Sequence, residues 1–363
     1  MKTPASRIAG YDLARALAIM GMVVAHFRWV MDAYGVGPAW LAWLADRIDG
    51  RAAATFVVLA GVGISLMSRR AREAGDVQAM LQTRNRLLRR ALFLFVVGYA
   101  YATVWQADIL HCYGVYMAVG AFLLAASGRA LWRIAAVLVA VYLPLMGLFN
   151  YESGWEWESM FYHGFWTPKG LLMNLFYNGF TPVIPWLAFL LVGMWLGRQD
   201  LFDPVVRKRI LVRAASVALA TEAVSSFLVH RLTAGATEME KIYIEVMVGT
   251  WSMPPLPLYM LAGGGTAVTV ITLCVAFARS HPSSKLLSPM VATGQLALTL
   301  YIGHVFIGVS TLNALGLLGK QSLPFALASA AVFCACAVLF AYAWRQRYEK
   351  GPLEWFMRKV TRS

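Results

Sequence analysis

Charge is scarce in this chain, and acid is scarcer than base. Only 14% of its 363 residues are Asp, Glu, Lys or Arg, against about a quarter in a soluble protein. Acidic residues number 18 and basic ones 32, for a net charge of +14. Cysteine is also sparse. Cys112, Cys274, Cys334 and Cys336 all stand in or beside apolar segments, and the last two are two residues apart and so point to different helix faces. That pattern excludes a disulfide framework and gives no zinc spacing. Polar stretches long enough for a soluble domain are missing as well.

Apolar sequence fills the gap. The chain is 60% hydrophobic, with a mean hydropathy of +0.61. Runs of about 20 apolar residues, enough to cross a ~30 Å hydrocarbon core, recur from end to end. The expected fold is all-α, a polytopic membrane bundle of about ten spans at 8–30, 51–68, 88–106, 110–127, 132–149, 180–197, 208–228, 257–278, 288–311 and 323–344. The start, MKTPASRIAG, is mildly basic and precedes an apolar run, as in a signal peptide. Asp12, Arg15, the length of the run and the lack of an A-x-A site argue instead for a retained first helix.

The excess of base follows the same layout. Lys2 and Arg7, with segments 69–90, 129–133, 198–213, 279–285 and 345–362, hold 24 of the 32 Lys and Arg. They fall in every second loop, so the positive-inside rule places them, and both termini, in the cytoplasm. No nucleic-acid partner is expected. One domain is read over 1–363: motif-bearing helices to 230, three more helices over 231–345, and a basic tail over 346–363. Two outer loops are more than connectors. NYESGWEWESMFYHGFWTPKG (150–170) reads first as an aromatic helix lying on the membrane surface, and second as a platform for a sugar. The segment 230–257 could serve as a lid. Asn174, Asn178, Pro182 and Pro185 predict a broken or re-entrant helix before the apolar run that follows.

The first span carries the polar residues that a membrane helix should avoid. Asp12, Arg15, Ile19, Met22 and His26 follow at spacings of three and four, so they share one face. Arg15 and His26 are 11 residues apart, about three turns and ~16 Å along the axis. Arg15 falls near the cytoplasmic mouth and His26 deep in the outer half, a layout suited to a long ligand with an anionic end. A self-neutralising Asp12–Arg15 pair and a satisfied core histidine are the bland readings. Arg86 and Arg89, one turn apart in RNRLLRRALFLF, add a second basic feature. Guanidinium forks suit phosphate, and the expected helix start there would favour an anion.

Arg15-x10-His26 with Arg86-x2-Arg89 resembles the two motifs of the acyltransferase-3 group of membrane enzymes. RIAGYDLARALAIMGMVVAHF and FVVLAGVGISL are similar to the membrane domain of heparan-α-glucosaminide N-acetyltransferase and its bacterial YeiB-like relatives. DILHCYGVYM, PWLAFLLVGMWLGRQDL, GQLALTLYIGH and GPLEWFMRK match the YeiB-like set, so the resemblance spans nearly the whole chain. It implies an integral protein of a bacterial inner membrane that moves an acyl group, usually acetyl, from cytoplasmic acyl-CoA to a carbohydrate or lipid-linked glycan beyond the bilayer. Arg15, Arg86 and Arg89 would hold CoA, and His26 would be catalytic. The chain departs from the lysosomal enzyme, which has asparagine at the position of His26 and its catalytic histidine in the next outer loop. Here no histidine lies between Phe27 and Gly50, so either His26 supplies the chemistry or activity is lost.

Imidazole suits acyl transfer because its pKa lies near neutrality. Direct attack by an acceptor that His26 deprotonates and a His26 acyl-enzyme relay both remain open. Asp108 and His111, three apart in WQADILHCYGV, are a second acid–base candidate, with an N-cap and an interfacial histidine as the plain alternatives; no metal is expected. Glu222 and His304 are read as supporting polar residues. A proton-coupled secondary transporter is the competing function, with a non-catalytic scaffold behind it. A homodimer is compatible with the sequence.

Overall fold

The computed structural model describes residues 8–362; Lys2 and Arg7 lie outside them. In chain order the helices are α1 Ala9–Val30, α2 Ala39–Asp46, α3 Arg51–Glu73, α4 Val77–Tyr101, α5 Leu110–Phe122, α6 Gly128–Leu148, α7 Pro168–Met173 and α8 Val183–Leu196. They continue with α9 Pro204–Leu232, α10 Glu238–Val248, α11 Pro257–Ser280, α12 Leu287–Gln295, α13 Ala297–Gly303, α14 Ser310–Ala314, α15 Leu323–Arg347 and α16 Pro352–Thr361. Two π turns, Asn174–Asn178 and His304–Val309, interrupt them. A small hairpin pairs β1 Trp155–Glu156 with β2 Phe161–Tyr162.

Among the described residues, seven helical stretches are long and apolar enough to cross a membrane, and the bent pair Pro168–Asn178 with Val183–Leu196 makes an eighth if it counts as one span. The expectation of ten spans is finer than this. Its third span falls on α4, whose middle carries Arg84, Arg86, Arg89 and Arg90. Its fourth falls on α5, only 13 residues long and so short of the ~20 that a bilayer asks.

The helices gather in two compact units. One holds the chain up to Phe56, with Leu201–Leu211 and Thr269–Val360; the other holds Val57–Asp200 and Val212–Val268. In the first, α1 is apolar on most of its surface and buries Val23, Phe27 and Met31 against Leu312, Ala326 and Ala330. Its approach to α12 is close: a Cβ added at Gly294 would stand 1.9 Å from the Asp12 carbonyl oxygen.

Leu296, at φ −103° and ψ 25°, breaks the helix between α12 and α13. A fresh helix start leaves backbone N–H groups without intrahelical partners. The tail, expected only as a basic extension, supplies the acceptor. Glu354 of α16 takes the N–H of Leu298 at 2.8 Å and of Thr299 at 3.1 Å, and the Thr299 hydroxyl at 2.6 Å. The Leu353 N–H donates back to that hydroxyl at 3.1 Å.

In the second unit, α3 and α8 cross through glycine, the usual way for membrane helices to approach. A Cβ at Gly61 or Gly193 would meet the carbonyl oxygen of Leu190 or Val58 at 2.0 Å. The expected broken helix is present. The π turn Asn174–Asn178 and the extended Ile184, between Pro182 and Pro185, bend the segment by 48°. The 150–170 loop is not a surface helix. Its hairpin buries Trp155, Tyr162 and Phe165, and Asn178 ties it down. The Asn178 amide donates to the carbonyls of Tyr151 and Ser153 at 2.8 Å each, and its oxygen accepts from the Tyr162 hydroxyl at 2.9 Å. Those bonds replace the helix that the aromatic content suggested. Trp157, Phe161 and Trp166 stay exposed. In the other loop, Thr237 and Glu240 form a capping box at the start of α10. The hydrogen bonds Glu240 accepts from the Thr237 N–H and hydroxyl hold its carboxyl below the usual range.

Glu354→Ala should cost about 2–3 kcal/mol, the scale of hydrogen bonds to an ionised carboxylate, read as a lower thermal unfolding midpoint in detergent. An unchanged midpoint would mean that the tail does not secure the break.

Candidate active site

The polar stripe of α1 lies wholly in the first unit and meets the broken span α12–α14. Asp12 is 3% exposed and pairs with the half-buried Arg15 on its own stripe. Gln295 donates its amide to Asp12 at 3.1 Å, and the Gly294 carbonyl accepts from Arg15 at 3.5 Å. The helix break thus supplies the polar partners that a buried carboxylate needs. The Asp12–Arg15 pair forms as one of the two readings anticipated, and it holds the guanidinium in place at its end of the helix.

Three turns further along, His26 is half-buried. Its Nδ1 lies 2.8 Å from Nε2 of His304, a residue that is 1% exposed. His304 opens the π turn of the broken span and sets its own Nδ1 on the Tyr301 carbonyl. Two of the named histidines therefore meet, from positions 278 residues apart. π turns often mark functional positions in helices.

Sequence reasoning missed the next cluster. Arg28, two residues past His26 and 3% exposed, donates to Asp46 at 2.6 Å and Asp49 at 3.1 Å. The Tyr34 ring lies 4.4 Å from the same guanidinium. The available signal was a second arginine in a span, followed by carboxylates three apart in the next loop. The cluster fixes α2 and the loop beyond it against the end of α1.

The second unit holds the remaining named residues. Arg86 and Arg89 are exposed on α4. The helix starts at Val77 behind an Asp76 cap, so these arginines do not sit at a helix N-terminus and gain no field from one. That is a correction to the expectation, and its cause is that the polar segment 77–87 is helical too. Asp108, His111 and Cys112 form a chain: Asp108 accepts from His111 Nδ1 at 3.0 Å, and Cys112 Sγ lies 3.4 Å from His111 Nε2. All three are 1–2% exposed, and a Cβ at Gly98 would touch the His111 backbone N at 2.2 Å. Asp108 also takes the backbone N–H of His111, in the first turn of α5, at 3.1 Å, although the cap position itself is Ile109. The group is shaped for acid–base work but packed as structure. Glu222 accepts the Thr250 hydroxyl at 3.2 Å, joining α9 to the segment after α10.

Among the described residues no group of three or more metal-ligating side chains occurs. The fold and these groups define a helical integral-membrane protein with ionisable pairs inside its spans. Residues 7–232 match the family described as heparan-alpha-glucosaminide N-acetyltransferase, catalytic, and the chain belongs to that family. Residues 196–363 match a protein family of unknown function, DUF418. An uncharacterized 39.9 kDa protein from the amylase 3' region of Bacillus acidopullulyticus is 21% identical over 376 residues, covering 98% of this chain and 94% of its own.

Arg28→Ala would remove the guanidinium that Asp46 and Asp49 share, leaving Arg51 as the cation beside Asp49. Arg28 is buried while the Asp46 side chain is 39% exposed, so losing the cation should cost about 2 kcal/mol, less than for a fully buried pair, and the unfolding midpoint should fall below that of wild type. A drop no larger than that of a surface Arg→Ala would show that the cluster does not secure the loop.

Proposed function

We propose that this chain transfers an acyl group, acetyl in the family's manner, from cytoplasmic acyl-CoA across the membrane to a hydroxyl or amine of a carbohydrate or lipid-linked glycan. The observation that carries the reading is the family match over 7–232, which contains Arg15, His26, Arg86 and Arg89. On this reading the helices form ten spans with both termini in the cytoplasm of a bacterial cell, α4 and α5 included. Acyl-CoA is a substrate and no metal takes part.

Roles are assigned residue by residue. Arg15, held by Asp12, carries positive charge at the cytoplasmic end of α1 and is assigned to the anionic end of the donor. Arg86 and Arg89 have no carboxylate partner among the described residues, and their guanidiniums are assigned to CoA phosphates. His26 is the base: half-buried, it is more accessible than His111. It takes the acceptor proton as that oxygen or nitrogen attacks the thioester carbonyl. The C–S bond breaks, and the departing thiolate of CoA regains the proton. Asp108 and His111 are assigned to holding α5, with His111 as a reserve acid–base group.

A proton-coupled transporter is the second reading, favoured by the 48° break between α7 and α8 and by the ionisable residues within spans. A carrier of neutral solutes has no use for a phosphate clamp, which separates the two.

Acetyl-CoA should raise the thermal unfolding midpoint of the purified protein, and dephospho-CoA should do so less. The shift should vanish in Arg15→Ala and Arg89→Ala and persist in His26→Ala. No shift with any acyl-CoA would remove the acyltransferase reading and leave the transporter.

A further inference from the structure

We infer that His304 is a positioning residue that fixes the proton of His26 on Nδ1 and thereby presents the lone pair of His26 at Nε2. This inference deepens the proposed role of His26 and concerns which nitrogen does the work.

The Tyr301 carbonyl can only accept, so His304 Nδ1, set on it, carries a proton. His304 is 1% exposed and lies beside a carbonyl and a second imidazole; a charged ring there would be an expensive burial. A neutral imidazole has one N–H, so Nε2 of His304 holds a lone pair. That lone pair faces His26 Nδ1 at 2.8 Å. Two lone pairs at this distance would repel, so His26 Nδ1 carries the proton and donates. Neutral in turn, His26 keeps its own lone pair on Nε2. The ring centroids lie 5.0 Å apart with an interplanar angle of 25°. Centroids so much farther apart than the facing nitrogens put the rings edge to edge, as an N–H···N bond requires, rather than face to face.

The π turn has a part in this. His304 begins it, and the same residue turns its ring back onto the carbonyl three positions earlier. The orientation of His304 is thus set by its own helix, and the tautomer of His26 is set by His304. When His26 accepts a proton at Nε2 it becomes an imidazolium, and its Nδ1–H bond to His304 turns charge-assisted and stronger. The pair does for His26 what a carboxylate does for a catalytic histidine elsewhere, without placing a fixed charge inside the membrane.

The test is the protonation site itself, read by NMR of the full-length protein labelled with 15N-histidine in detergent. Among the six histidines, the rings of His26 and His304 are assigned by loss of signal in His26→Asn and His304→Gln. Wild type should show both His26 and His304 protonated at Nδ1. His304→Leu, which cannot accept, should release His26 into a mixture of tautomers. His304→Gln, whose amide oxygen can accept while its NH2 donates to Tyr301, should restore the Nδ1–H form. In acetyl-CoA turnover, His304→Leu should lower kcat by roughly 100-fold or more, the scale of a general base in the wrong tautomer, with KM for acetyl-CoA unchanged and Gln partly restoring kcat. A wild-type His26 protonated at Nε2 would overturn the inference. So would a tautomer indifferent to His304→Leu, or a stoichiometric metal found by mass spectrometry and lost in His26→Asn. The wild-type spectrum decides even where the leucine variant fails to fold. The expected spectrum without acetyl-CoA turnover would uphold the pairing while refuting the enzymatic reading.

Discussion

A polar group inside a bilayer has no water to turn to, so every break, turn and charge in a span must find its partner within the protein. The interrupted helices α12–α14, which include the candidate span Ala297–Ala314, are where this constraint bears hardest on the first unit. Its interruption at Leu296 leaves backbone donors that Glu354 accepts. The same interruption offers Gln295 and the Gly294 carbonyl to the Asp12–Arg15 pair. Directly after α13, the π turn presents His304 to His26. The polar residues of α1 are tolerated because one neighbouring span is irregular at the right depths, and that span keeps its shape partly through the tail helix.

Much of this was legible in the sequence, and the parts that were not share a cause. Apolar runs and loop charge located the helices, because burial in lipid depends on local composition. Prolines at 182 and 185 located the break before α8, since a missing N–H acts on its own turn. The common face of Asp12, Arg15 and His26 follows from helical periodicity alone. The His26–His304 pair does not, because no local pattern joins residues 278 apart. Glu354 was hidden for the same reason within a tail whose charge is mainly basic. The 150–170 loop misled because its aromatic residues have two uses. Four of the seven, Tyr151, Trp155, Tyr162 and Phe165, are buried instead of lying on a surface, and only packing distinguishes the two. Arg86 and Arg89 were placed at a helix start because polar residues 77–87 resemble a loop in composition, although a helix can be polar all round.

The proposed acyl transfer adds a second constraint to the same helix. A donor with charged phosphates and an acceptor beyond the membrane require a cation toward one end of a span and a base toward the other. α1 has that order, with Arg15 and His26 about three turns apart. The family match covers α1 and by itself assigns no role to Arg15 or His26. On the proposed reading, a histidine whose proton is fixed by a neighbouring imidazole acts from within a helix where a carboxylate partner would be costly.

The most direct measurement is acetyl-CoA turnover by the purified protein in lipid vesicles, followed as release of the free CoA thiol with glucosamine-type and lipid-linked sugar acceptors supplied on the far side. Wild type should release CoA only when an acceptor is supplied, and His26→Asn should lose that release while still binding acetyl-CoA. Release that persists unchanged in His26→Asn would contradict the role of His26 as the base.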